Sequence, residues 1–196
     1  MNIKKRKIVI FASGNGTNAA QLIKHFHNHS QIQVGLIISN SSKAGVLKIA
    51  TENNIPSSVI NKSLLANNGY TTALLNLYDI DFIVLAGFLL LMPPFLVKSY
   101  DQKMINIHPA LLPKYGGKGM YGANVHQAVI NEGDLESGIT IHYVNEMYDR
   151  GKIIFQSRCK VEKKDNAEKL AKKIQELEHK FYPEWTEKLV LQTRFL

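Results

Sequence analysis

Residues 8–20 read Ile-Val-Ile-Phe-Ala-Ser-Gly-Asn-Gly-Thr-Asn-Ala-Ala. A short apolar run, Ile8–Ala12, stops at a Gly/Asn loop, Ser13–Thr17, and a helical pattern runs from Asn18 to about His25. That is a buried strand, a tight turn and a helix. The same alternation continues down the chain. Val34–Ser39 reads as a strand, Gly45–Asn53 as a helix and Ser57–Ile60 as a short strand. Tyr70–Tyr78 reads as a helix, Phe82–Ala86 as the strongest central strand, Pro93–Ser99 as a short helix and Met104–Ile107 as a strand. A Pro/Gly-rich loop, 108–122, precedes a helix over Ala123–Asn131. Ile139–Val144 and Lys152–Val161 are strands joined by a turn at Asp149-Arg150-Gly151. Asn166 starts a long amphipathic helix with Leu170, Ile174, Leu177 and Phe181 on its apolar side, and Pro183 is expected to bend or restart it. Strand–helix alternation implies right-handed crossovers. The predicted fold is therefore a single α/β domain over 1–196. Its sheet is mostly parallel and twisted, with helices on both faces and an antiparallel strand pair near the C-terminal end. In such sheets ligands sit at the carboxyl ends of the strands, where strand order reverses.

Composition narrows the function. The chain has 196 residues, 45% hydrophobic and 20% charged, with a formal net charge of +8. These are the proportions of an ordinary folded protein, and no apolar run reaches the ~18–20 residues of a membrane span. Half of the excess charge is the tetrad Lys4-Lys5-Arg6-Lys7, read as a solvated terminus entering the first strand, not as a stripe that would grip nucleic acid. The apolar segment after it is too short for a signal peptide. Cys159 is the only cysteine, so no internal disulfide forms and a cysteine-based zinc site is not expected. A cytoplasmic protein acting on anionic small molecules, without nucleic acid or membrane, is the economical reading. His25 and His29 share a helix face, but no acidic or cysteine partner lies close in sequence, so no metal site is expected there.

Three segments carry chemistry. In the first turn, Asn15, Gly16, Thr17 and Asn18 place glycine flexibility before a helix N-terminus, an arrangement that suits a phosphate. The alternative is a structural turn with Asn18 as the helix cap. A G-x-G-x-x-A match is present, but the second strand ends Ser39-Asn40, without the acid that binds a ribose diol, so a dinucleotide site is not supported. The second segment is Asn106-Ile107-His108-Pro109. Two residues apart on an extended chain, Asn106 and His108 face one side. An imidazole can exchange protons near pH 7, and an amide N–H can stabilise an oxyanion. The third is Asp149, whose carboxylate would orient His108 and raise its pKa. Glu178 sits beside the apolar stripe of the last helix and reads as a partly buried acceptor for a hydroxyl.

The residues SGNGTN (13–18), LAGF (85–88), NIHPALLPKY (106–115) and Asp149-Arg150-Gly151, in this order, resemble the folate-dependent phosphoribosylglycinamide formyltransferase family. The resemblance implies the Rossmann-like formyltransferase fold. It also implies transfer of a formyl group from the co-substrate 10-formyltetrahydrofolate to the amine of glycinamide ribonucleotide in purine synthesis, with no metal. It makes Asn106, His108 and Asp149 the catalytic set. It puts the substrate phosphate on Asn15, Gly16, Thr17 and Asn18 and a ribose hydroxyl on Glu178. Folate would lie against Leu89, Leu90, Leu91, Met92, Val97, Asn106, Val144 and Asn145. The partners implied are small molecules, with the chain a monomer or homodimer.

Two departures from the family stand out. Leu90 occupies a place where a basic residue is expected, which removes one anchor for the folate tail. The stretch Gly116–Asn124 is longer than usual and lacks the expected histidines, so substrate contacts there are open. Among relatives, methionyl-tRNA formyltransferase would need a further C-terminal domain and formyltetrahydrofolate hydrolase an N-terminal one, and neither is expected here. A formyltransferase for sugar-nucleotide amines and a non-catalytic folate- or nucleotide-binding module are the remaining alternatives.

Overall fold

The computed structural model describes residues 4–193, so residues 1–3 and 194–196 of the expected domain lie outside the described residues. Seven strands form one sheet in the order β3-β2-β1-β4-β5-β6-β7. They are β1 (Arg6–Phe11), β2 (Ile32–Ser39), β3 (Ser57–Val59), β4 (Ile80–Leu85), β5 (Met104–His108), β6 (Glu136–Tyr143) and β7 (Ile153–Lys160). The helices are α1 (Thr17–Phe26), α2 (Gly45–Glu52), α3 (Lys62–Ala66), α4 (Asn68–Leu77), α5 (Pro94–Ser99), α6 (Ala123–Glu132) and α7 (Ala167–Gln192). The short α3, capped by the Asn61 side chain on Leu64 N–H, has no counterpart in the sequence reading. Five residues are too few for helical periodicity to show.

β1 to β5 are parallel, as expected of crossover connections. The antiparallel part is larger than the expected final pair, because β6 runs antiparallel to β5 as well as to β7. β1 also begins earlier than its apolar run. Arg6 and Lys7 are strand residues, and the Arg6 guanidinium donates to the Val190 carbonyl. Lys7 donates its backbone N–H to Asp81 and pairs its ammonium with Asp79 at 3.2 Å.

Period-two alternation divides the core between the two faces of the sheet. Ile8, Ile10, Ile37, Phe82 and Val84 pack with α1, α6 and α7. Val9, Phe11, Leu36, Ile38 and Ile83 pack with Leu65, Leu75 and Leu96 of α3, α4 and α5. Helix α7 continues through Pro183, which is buried within it and does not restart it. Immediately before that proline, the buried Tyr182 hydroxyl donates to the Leu85 carbonyl at 2.7 Å, tying α7 to the carboxyl end of β4. A second tie joins α7 to α1. The Glu187 carboxylate meets His25 Nε2 at 2.6 Å and His29 Nε2 at 3.3 Å. The acidic partner missing near these histidines in sequence comes from the other end of the chain. No group of three or more His, Cys, Asp or Glu among the described residues is placed to hold a metal. No helix among them is long and apolar enough to cross a membrane.

Tyr182→Phe removes the hydroxyl and leaves a buried carbonyl short of its donor. The expected loss of unfolding free energy is about 1–3 kcal/mol, read by urea denaturation. An unchanged midpoint would mean that the Tyr182–Leu85 bond contributes nothing net.

Candidate active site

The strand order reverses between β1 and β4, and a cleft of about 780 Å³ opens at that point. Its floor is pinned by Ser13. Ser13 N–H donates to the Gly87 carbonyl at 3.0 Å, and its hydroxyl donates to Asn40 Oδ1 at 2.5 Å and accepts Leu89 N–H at 2.9 Å. One serine thus ties the ends of β1, β2 and β4 together. Asn40, where an acid was absent, has a structural task.

At one end of the cleft lies the 13–18 turn. Gly16 has φ +78°, and a Cβ there would sit 2.8 Å from the Val46 side chain, so both conformation and space require glycine. Gly16 is the N-cap of α1, with no side-chain cap. Asn18 therefore does not cap the helix, against the structural alternative. It lies inside the first turn, and its Nδ2 donates to Glu178 Oε2 at 3.0 Å. The uncapped N–H groups of that turn suit an anion. Burial pushes the Glu178 carboxyl up to about 7, against the Asn18 hydrogen bond, which lowers it.

In the centre, β5 presents Asn106 and His108. The antiparallel register sets His142 opposite Asn106 and Thr140 opposite His108. Asp149, at φ +55° in the β6–β7 connection, completes the group. Its Oδ2 accepts Gly117 N–H at 2.9 Å and lies 3.5 Å from His108 Nδ1, and its Oδ1 lies 3.6 Å from His142 Nε2. Asn106 Nδ2 is 3.2 Å from His142 Nε2 and 3.4 Å from Asp149 Oδ1. His142 Nδ1 meets the Tyr143 carbonyl at 2.8 Å. A carbonyl only accepts, so that nitrogen holds the proton and Nε2 is the acceptor for Asn106. By the same logic the Tyr115 carbonyl, 2.8 Å from His108 Nε2, fixes a proton there and turns Nδ1 toward Asp149. Beyond the strand, Thr140 Oγ1 donates to the Ala110 carbonyl and accepts Leu112 N–H, bracing the chain just before the cis Leu112–Pro113 bond.

The electrostatics correct one expectation. Asp149 does raise the proton affinity of His108, but burial outweighs it and the net shift is downward. The sequence cannot show how dry the ring is, and His108 is 3% exposed. Burial raises the Asp149 pKa, but its polar surroundings, His142, His108 and Gly117 N–H foremost, hold it below the ordinary carboxylate value. The resting pair is an ionised carboxylate beside a neutral imidazole.

The far wall is apolar. Leu89, Leu90, Leu91, Met92, Val144 and Asn145 all line it, with Met147 and Tyr148 beside them. Val97, expected there, is not among the lining residues. It lies on α5, packed against the core on the α3–α5 side of the sheet. The loop over 117–122 also lines the cleft and brings Lys118 and Tyr121 to it. Sequence reasoning missed Ser13, His142 and His126. His142 carried a signal, a polar residue within the apolar strand Ile139–Val144, but its relation to Asn106 depends on a cross-strand register.

Comparison with known proteins places the chain in a family. The formyl transferase family model matches residues 6–186. A chloroplastic phosphoribosylglycinamide formyltransferase of Arabidopsis thaliana is 40% identical over 92% of this chain, which spans 64% of that relative's length. The corresponding protein of Vigna unguiculata is 36% identical, with 62% of its length spanned. The phosphoribosylglycinamide formyltransferase of Haemophilus influenzae is 33% identical over 91% of this chain and 84% of its own. The crystal structure of the Anaplasma phagocytophilum phosphoribosylglycinamide formyltransferase superposes with a TM-score of 0.87 at 32% identity, covering 98% of this chain and 90% of that one.

The raised Glu178 pKa has a testable consequence. Its folded value, about 7, exceeds the ordinary 4.5, so the native state binds the proton more tightly than the unfolded state does. The stability this contributes is complete below about pH 4.5 and is lost as pH rises through about 7. Relative to Glu178→Gln, the wild type should therefore lose about 1–3 kcal/mol between pH 4.5 and 8, measured by urea unfolding. A difference that does not move with pH would return Glu178 to an ordinary carboxylate.

The match from residue 6 to residue 186, and a bacterial relative of nearly equal span, meet a cleft that joins an anion turn to an Asn–His–Asp group, and the chain belongs to the phosphoribosylglycinamide formyltransferase family.

Proposed function

We propose that this chain transfers the formyl group of 10-formyltetrahydrofolate to the amine of 5'-phosphoribosylglycinamide, a step of purine synthesis. The observation that carries the reading is the position of Asn106, His108 and Asp149 midway along one cleft, between an uncapped helix N-terminus and an apolar wall. Each substrate then has an end to occupy. The phosphate takes the turn Asn15–Asn18 and a ribose hydroxyl takes Glu178. The pterin lies against Leu89–Met92, Val144 and Asn145, and the formyl carbon meets the amine at the centre. We read no metal into the reaction. We also read a cytoplasmic setting, supported by a single cysteine, and substrates that are small molecules alone.

The residues divide the work as follows. The amine must be uncharged to attack, and the ionised Asp149 carboxylate is placed to take up the proton it sheds. As the new C–N bond forms, the formyl carbonyl becomes an oxyanion. Asn106 Nδ2 reaches it by giving up its long 3.4 Å contact with Asp149. His108, its Nε2–H held by the Tyr115 carbonyl, receives a proton at Nδ1 from the Asp149 side and delivers it to N10 of the folate as the C–N10 bond breaks. One proton leaves the amine and one arrives at N10, so the sum balances.

The test is spectrophotometric formyl transfer with the amine substrate present and absent. Turnover that requires the amine supports the reading, and folate release without it would mean hydrolysis. His108→Ala should lower kcat by about 10²–10⁴-fold with substrate KM values little changed. Asp149→Asn removes the group that raises the His108 pKa, so the ionisation of His108 in the kcat/KM profile should move to lower pH while kcat falls. A profile unmoved by Asp149→Asn would separate the two residues.

A further inference from the structure

Beside the Asn106–His108–Asp149 group stands another buried histidine that no step above employs. His126 lies in the first turn of α6, where the 117–122 loop ends, and its ring lines the cleft while only 7% exposed. Its Nδ1 is closed off from solvent and has no hydrogen-bond partner among the described residues. A buried ring N–H with no acceptor is costlier than an unshared lone pair, because donors are the groups proteins leave unpaired least often. The ring proton therefore belongs on Nε2. Burial, reinforced by the nearby His108, lowers the proton affinity, so the ring is neutral. The site thus holds an uncharged donor beside the reaction centre, and it needs an acceptor oxygen.

Resting on the acceptor proposed above, the oxygens of the two substrates can be assigned in turn. The phosphate oxygens take the Asn15–Asn18 turn, a ribose hydroxyl takes Glu178, and the formyl oxygen takes Asn106 Nδ2. These contacts leave the carboxamide oxygen of the glycinamide arm unassigned, and Gln175, Lys118 and Tyr121 also line the cleft. That oxygen lies one carbon away from the carbon bearing the attacking amine, so a donor adjacent to His108 meets it. We propose that His126 Nε2–H binds the carboxamide oxygen of the amine substrate and thereby aims the amine at the formyl carbon. The contact would make His126 a specificity-determining residue, since an amine without an adjacent carbonyl gains nothing from it.

Kinetics of His126→Leu and His126→Gln test this. A lost neutral hydrogen bond in a closed site should raise the amine-substrate KM about 10-fold or more in His126→Leu, with the folate KM within about 2-fold. His126→Gln, which retains an N–H donor, should recover part of the loss. An analogue with a methylene in place of the carboxamide carbonyl should bind wild type as weakly as it binds His126→Leu. Nitrogen-15 NMR of histidine-labelled wild type gives a readout that does not depend on folding of a variant. The His126 signals should report the Nε2–H tautomer, and the Nε2 proton should shift when the amine substrate is added. An amine KM unchanged in His126→Leu, a loss confined to the folate, or an Nε2 resonance indifferent to the amine substrate would each overturn the inference. A wild type without amine-dependent turnover would remove the acceptor reading and this inference with it.

Discussion

A carboxylate taken nearly out of water needs polar neighbours, and Asp149 draws them from three parts of the chain. Gly117 N–H, Asn106 Nδ2 and the rings of His108 and His142 all face its two oxygens. Those partners come from the 117–122 loop, β5 and β6, so the carboxylate fastens the loop to the paired strands. The surrounding glycines follow from the same crowding. A Cβ on Gly116 would stand 2.5 Å from Leu112 and 3.2 Å from Asp149 Cβ, and one on Gly151 would stand 1.6 Å from the Tyr143 carbonyl. The Gly151 clash is with backbone and no side-chain shift relieves it, whereas at Gly116 the Leu112 side chain can give way.

The sheet supplies the rest of the constellation through two different devices. Parallel strands in the order β3-β2-β1-β4-β5 splay their connections apart between β1 and β4, which opens the cleft, and Ser13 keeps the gap from widening. The antiparallel β6 then does what another parallel crossover would not. It lays His142 directly against Asn106 and leads without an intervening helix into the connection bearing Asp149. The parallel half thus makes the space, and the antiparallel half delivers acid and imidazole into it.

Much of this was legible in the residues and some was not, for identifiable physical reasons. Strand–helix alternation and the Gly-rich first turn are local signals, and they led to the sheet and to the uncapped turn at the cleft. Asn106 and His108 share a face because the strand period is two, a property of any extended chain. Strand direction leaves no trace in periodicity, so the antiparallel β5–β6 pairing and the role of His142 were hidden. Asn18 has the composition of a cap, but Gly16 holds that place and frees the Asn18 side chain to reach Glu178, 160 residues away. The His25–Glu187–His29 contact was invisible for the same reason of distance. Val97, set against folate by the resemblance alone, packs instead against the core on the α3–α5 side.

The direction of the His108 shift is the most instructive of these differences. Carboxylate proximity alone argues for a charged imidazole, whereas depth of burial decides for a neutral one. A neutral His108 and an ionised Asp149 are the better starting state for attack by an amine. In the proposed reaction the amine attacks uncharged, and the carboxylate is placed to take the single proton it sheds as the C–N bond forms. A folate bound in the cleft for that reaction would displace water and strengthen every charge interaction that remains. The proton taken from the amine has a short path across the 3.5 Å gap to Nδ1. In the proposed reaction His108 would become charged only then, when an oxyanion is forming beside it and positive charge stabilises the transition state. On that proposal burial sets the order of events, and the site receives its positive charge from the substrate it activates.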